Sequence, residues 1–229
     1  MHDVIQGFEQ AVRLLATGQQ DVWGIIARSL LVSGLSTVLG CAIGIPVGAA
    51  VGLRRFRGKR GAVAAVNVGM SLPPVVVGLV VYLLLSRSGP LGFLGLLYSM
   101  PAMITAQTIL AAPLIAALTV AAVESVDRRA RMVALSLGAS QVRATMTALG
   151  EARFAMGAAV IAGFGAVISE VGAVMIVGGN IAGHTRVMTT AIVLETGKGD
   201  FDVAIALGII LLLIAFVVNF GLGFLQRWR

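Results

Sequence analysis

Glu170 is the residue whose type and position most demand a chemical account. It is the one acid set deep within an otherwise apolar run, Phe154 to Gly178. A carboxyl group in hydrocarbon is costly, so it must face a bundle interior or a water-filled cavity. Further along, Gly178, Gly183, His184 and Thr185 mimic a phosphate-binding loop. Histidine stands where that loop needs lysine, and the segment follows an apolar span rather than a strand, so no nucleotide is expected there. His2 and His184 are far apart, and there is no HExxH, GxSxG or clustered set of metal ligands. Catalysis therefore has no visible apparatus, and neither a metal nor a cofactor is expected. Cys41, the single cysteine, lies inside an apolar run and reads as a small buried hydrophobe.

The elements that would position Glu170 are membrane helices. Of the 229 residues 58% are apolar and 12% charged, with a mean hydropathy of +0.98. A soluble domain carries about 25% charge, so the chain reads as an all-α integral membrane protein. The start, with Asp3 and Glu9 and no early basic cluster, is not a cleavable signal. Residues 1–24 read as an amphipathic interfacial segment, with Phe8, Ala11, Val12, Leu14 and Leu15 on one side. Residues 25–225 form one transmembrane domain, and 226–229 a short tail.

Five spans are expected, judged against the roughly 20 apolar residues that a bilayer core requires. Ser29–Leu53 carries Gly40, Gly44, Gly48 and Gly52, a small-residue face that lets another helix approach closely. Gly61–Ser86 is broken at Ser71, Leu72, Pro73 and Pro74. The third span is Pro101–Val123, preceded by a glycine-rich loop over 88–100 with an interfacial or re-entrant piece. The fourth is Phe154–Gly178 and the fifth Val203–Leu225. Pro73 and Pro74 remove backbone donors and bend a helix, which makes this break either a gate or a packing kink.

Basic residues orient the bundle. With the N-terminus outside, the inner side receives twelve of the 17 Lys and Arg: Arg54, Arg55, Arg57, Lys59, Arg60, the five arginines of loop 124–153, Arg227 and Arg229. Arg13, Arg28, Arg87, Arg186 and Lys198 remain outside. The positive-inside rule thus puts loop 124–153 and the C-terminus in the cytoplasm. The net charge of +7 is then a membrane-topology signal rather than a nucleic-acid one. Loop 124–153 reads as a helix, a bend at Gly138 and a second short helix, a surface suited to docking a soluble partner.

Ala134 and Gly138 carry the first resemblance. The loop is similar to the "EAA" loop of permease subunits of ABC importers, whose pattern is Glu-Ala-Ala, three residues of any kind, then Gly. Met132 and Val133 replace the Glu and the first Ala, and Ala148-Leu149-Gly150-Glu151 replaces the usual ending. A more specific likeness lies in Ile168-Ser169-Glu170-Val171-Gly172-Ala173-Val174-Met175 through Gly178-Gly179-Asn180-Ile181, then Thr185-Arg186-Val187-Met188-Thr189-Thr190. This run resembles oxyanion permeases of the molybdate and sulfate type, and most of all the tungstate permease subfamily. Ser71-Leu72-Pro73-Pro74 fits the second core helix of the same proteins. Together these stretches cover most of residues 30–200 in order.

The resemblance implies a type I ABC importer permease bundle of five spans with a cytoplasmic coupling helix, in a prokaryotic plasma membrane. The cargo would be a tetrahedral oxyanion, tungstate before molybdate or sulfate. The implied partners are two copies of an ABC ATP-binding subunit, an extracytoplasmic oxyanion-binding protein and a second copy of this chain. Ala134, Gly138, Ala139, Ser140, Gln141 and Arg143 would couple to the ATPase. Ser71, Pro73, Pro74, Glu170, Gly172 and Asn180 would form gate and pathway, with Glu170 favoured as a structural or hinge residue over a cargo ligand. Thr185, Arg186, Thr189 and Thr190 would either donate to a passing oxyanion or shape an outer loop for the binding protein. The competing class is a stand-alone secondary transporter, which must do without ionisable intramembrane groups other than Glu170.

Overall fold

The computed structural model describes residues 2–18, 21–54, 56–126, 132–133 and 136–227. These form nine α-helices and, among the described residues, no strand: α1 His2–Thr17, α2 Val22–Leu53, α3 Lys59–Met70, α4 Pro74–Leu85, α5 Met100–Glu124, α6 Gln141–Ile168, α7 Gly172–Gly178, α8 Met188–Lys198 and α9 Phe201–Arg227. Four segments are long and apolar enough to cross a membrane, namely Val22–Leu53, Met100–Glu124, Leu149–Ile168 and Phe201–Gly221. The pair α3 and α4 makes a fifth crossing if counted as one broken span.

Helix α5 is the central post. Ala102, Met103, Ala106, Ala111, Ile115 and Ala116 are buried against its neighbours. Its main partner is α2, and the glycine face is the reason they fit. A Cβ on Gly44 would lie 2.6 Å from the Ala112 carbonyl oxygen, and one on Gly48 2.5 Å from that of Ala116. At such spacing the two backbones touch, which is the packing that membrane helices use in place of a hydrophobic driving force. Gly69 of α3 and Gly163 of α6 make room for α5 side chains instead, a Cβ on each meeting Pro113 and Ile115 at 2.7 Å.

The second span is broken more sharply than a kinked helix. Pro73 is extended (φ −65°, ψ 122°) and caps α4, Pro74 opens it, and α3 and α4 meet at 90°. Pro at the first helical position is well placed, because its missing N–H would have no partner there.

Three sequence expectations need correction. The fourth span is not one helix from Phe154 to Gly178: α6 begins at Gln141 and ends at Ile168, and α7 starts after a break at Ser169, Glu170 and Val171. Nothing between Gln141 and Phe154 interrupts helix formation, so the expected second short helix of the loop is simply the start of α6. Residues 188–198, expected as outer loop, form α8, which buries Met188, Thr189, Thr190, Ala191 and Glu195. Finally, the buried stripe of α1 is Gly7, Ala11 and Leu14, spaced four and three apart to face one neighbour. That neighbour is α9, through Val203, Ala206, Leu207 and Ile210, while Phe8 and Val12 point outward.

Candidate functional site

Two regions carry the sequence-predicted residues: the turn before α6 and the pair of helix breaks beside α5. In the turn, Gly138 has φ +83° and open space around its missing side chain. This left-handed conformation is the one glycine adopts without steric penalty. Ser140 then caps α6, its Oγ accepting from the Arg143 amide at 3.3 Å. Arg143 is exposed and Ala139 half-buried. Ala134 and the side chain of Gln141 lie outside the described residues.

The turn also presents residues that the motif does not name. Leu137 is 82% exposed, and Met132, Val133 and Met146 are more than half exposed. Apolar side chains held in water on a charged loop mark an interaction surface. The signal was present in the sequence as Met132, Val133 and Leu137 persisting in a run otherwise rich in arginine.

In the second region, the break at 71–73 and the break at 169–171 lie side by side. A Cβ on Gly172 would sit 2.7 Å from Val75 Cγ2, and one on Gly78 would sit 2.6 Å from Ala173 Cα. Helices α4 and α7 thus start together and run in the same direction. At their far ends Tyr98 donates its amide to the Val177 carbonyl at 2.9 Å and stands edge-on to Tyr82, ring centroids 6.3 Å apart. The neighbouring Tyr82 phenol raises the pKa of the Tyr98 phenol.

Glu170 is 9% exposed and holds the second break. Its Oε1 accepts from the Ala173 amide at 3.0 Å and its Oε2 from the Val174 amide at 3.1 Å. Its own carbonyl accepts from Thr189 Oγ1 at 2.9 Å, which ties α8 to the break. Gln107 of α5 donates Nε2 to the Val167 carbonyl at 2.8 Å on the other side. Its importance was not read from the sequence, although it is a lone amide in a charge-free span. Ser71 bonds only within its own helix end, to the Asn67 carbonyl.

The loop after α7 is tightly bonded. Gly179 closes α7 in the left-handed region and donates its amide to the Met175 carbonyl. Asn180 donates to the Thr190 carbonyl and accepts from Arg186 Nε, both at 3.3 Å. Thr185 donates to the Gly178 carbonyl, and Thr190 accepts from and donates to Val187. Arg28 reaches the loop from α2, donating to the Arg186 carbonyl at 3.0 Å and the Gly183 carbonyl at 3.2 Å. The four candidate donors Thr185, Arg186, Thr189 and Thr190 therefore serve the fold in this conformation, while Ile181 to His184 form an exposed tip. Among the described residues there is no group of acid, His or Cys side chains able to hold a metal ion.

The sequence pattern of one family, described as the binding-protein-dependent transport system inner membrane component, matches residues 44–229. The chain belongs to that family. Two relatives agree with it over most or all of their length. The permease is 42% identical over 227 residues to the tungstate uptake system permease protein TupB of Peptoclostridium acidaminophilum, covering 99% of this chain and 100% of that one. It is 45% identical over 200 residues to a probable anion ABC transporter permease protein of Haloferax volcanii, covering 85% and 86%. Its fold is that of a type I ABC importer permease. A structure of the MetNI methionine ABC transporter in an inward-facing conformation superposes with a TM-score of 0.73 at 19% identity, covering 96% of this chain and 97% of that one.

Proposed function

We propose that this permease is the membrane-spanning subunit of an ATP-driven importer for tungstate, with molybdate as the second candidate. The likeness to the tungstate uptake permease along the entire chain carries this reading. In it, ATP is hydrolysed by a separate ABC subunit, a binding protein outside delivers the oxyanion, and two copies of the chain enclose the pathway.

The geometry suits alternating access. A rigid α6 leads directly from the exposed turn at Leu137–Ser140 to the break at 169–171. The break abuts the start of α4 through Gly172 and Val75. A displacement imposed on the turn by ATPase closure would thus reach both helix breaks through one helix. Glu170 acts as the hinge's fastener rather than as a cargo ligand, and the 181–184 tip serves as a docking shape for the binding protein.

The proposed orientation, N-terminus outside and C-terminus in the cytoplasm, rests on the count of basic residues, and the residues it assigns to one side do lie together. Lys59, assigned inside, pairs with Glu124 at the root of the coupling loop at 2.9 Å. Arg28, assigned outside, bonds the loop carrying Arg186.

The test is uptake of tungstate into proteoliposomes holding the permease, its ATPase and its binding protein. Uptake must require ATP and be competed by molybdate more strongly than by sulfate. Uptake by the permease alone, driven by an ion gradient, would replace this reading with secondary transport.

A further inference from the structure

The turn between α2 and α3, residues 54–60, reads RRFRGKR, five basic residues in seven positions. Among the described residues its acidic partner, Glu124, is already engaged: Lys59 Nζ lies 2.9 Å from Glu124 Oε1 and also donates to the Gly52 carbonyl at 2.7 Å. Arg54, Arg57 and Arg60 are exposed, and among the described residues none of them has a carboxylate partner. Three exposed guanidinium groups without a carboxylate partner among the described residues are free to take a counter-charge from outside the chain.

The surroundings define what that counter-charge is attached to. The charge-free run of α2 ends at Leu53, so the turn lies at the level where hydrocarbon gives way to headgroups. A cavity of about 620 Å³ opens there, lined by Phe56, Gly58, Lys59, Arg60, Val63 and Glu124. Phe56 is 45% exposed, an aromatic ring at the interface. Gly58 starts α3 at φ +91° with no side chain capping the first turn, so the positive end of the helix dipole faces the same space. Below it α3 buries no residue, and Val63 of its upper half lines the same cavity as an apolar flank. A site with cations above and an apolar flank beneath matches an amphiphile, not a free ion.

We infer that the 54–60 turn, with the upper flank of α3, binds an anionic phospholipid, its headgroup phosphate held by Arg54, Arg57 and Arg60. The site stands apart from the transport reading and needs only that α2 spans the membrane. Basic residues at a membrane surface each strengthen attraction to anionic lipid by roughly fivefold, so three of them give a strong preference.

The test uses the purified full-length chain in nanodiscs of equal phosphatidylglycerol and phosphatidylcholine, with retained lipid counted by native mass spectrometry. The wild type is expected to retain phosphatidylglycerol selectively. R54Q, R57Q and R60Q combined should abolish the selectivity, each single change lowering it by roughly fivefold. The R87Q/K198Q pair, basic residues away from this turn, should leave it intact. Millimolar inorganic phosphate should not displace the lipid; displacement would show a free-phosphate site and overturn the lipid assignment. Equal retention of both lipids by the wild type would also overturn it. So would unchanged selectivity in the triple variant, including the case in which that variant instead loses a co-purifying ATPase, which would make the turn a protein contact. If the triple variant fails to fold, the single R57Q change decides the matter.

Discussion

Glu170 and Ala173 stand three residues apart in the sequence, and a 3.0 Å hydrogen bond from the Ala173 amide to the Glu170 carboxyl joins them across the break in the fourth span. With the Val174 amide 3.1 Å from the other carboxyl oxygen, this one side chain satisfies two donors that a helix start leaves open in a water-poor site. A deep acid in a membrane bundle invites a proton-relay or ligand reading. Here its oxygens are occupied by the backbone.

Replacement of Glu170 therefore tests a cap. Glu170→Ala leaves both amides without an acceptor and should lower stability by about 1–2 kcal/mol. Glu170→Gln keeps one accepting oxygen and should fall between wild type and Ala. Thermal midpoints of the detergent-solubilised chain give the order, and an alanine variant as stable as wild type would contradict the capping role.

The α2–α5 contact makes a second, sterically sharp prediction. Gly48→Ala puts a methyl group 2.5 Å from the Ala116 carbonyl oxygen, so the helices must separate, at a loss of about 1–3 kcal/mol. Gly150→Ala, on the exposed side of α6 with nothing within 4 Å, should instead stabilise by about 0.5–1 kcal/mol. Equal effects at the two sites, read by thermal unfolding in detergent, would show that the close approach is not what demands glycine.

Much of this architecture was legible in the residues. Pro73 and Pro74 announced the broken second span, and Gly40, Gly44 and Gly48 announced a helix packed at backbone contact. Both are local, since the residue type by itself forbids the alternatives. The second break was not legible, because Ser169, Glu170 and Val171 contain no helix breaker. What stops α6 there is the Glu170 carboxyl capping α7, held by Thr189 from α8 and flanked by Gln107 from α5. Helix α8 was missed for a related reason. Thr189 and Thr190 read as loop residues, yet they are buried by tertiary packing. The hydroxyls of Thr185, Thr189 and Thr190 bond the Gly178, Glu170 and Val187 carbonyls, partners that cannot be read from spacing.

Gly138 offers a prediction about coupling rather than stability. At φ +83° a β-branched residue costs about 1–2 kcal/mol in backbone strain, so Gly138→Val should reach the membrane yet lose ATP-driven uptake. Gly138→Asn tolerates the left-handed region and should retain most of it. Loss in both variants would mean that the open space beside Gly138, rather than its backbone angle, is what the partner uses.

The measurement that bears most directly on the central claim is co-purification of an ATPase with the affinity-tagged permease, compared with Leu137→Asp. Leu137 is 82% exposed on the turn before α6, so the change leaves the bundle's packing untouched while placing a charge on the proposed contact. The account predicts a bound ATPase with the wild type and its loss, by tenfold or more (about 1.4 kcal/mol or more), from a variant that elutes and unfolds as the wild type does. A permease that purifies without any ATPase, or a Leu137→Asp variant that binds it undiminished, would contradict the assignment of this turn as the coupling site.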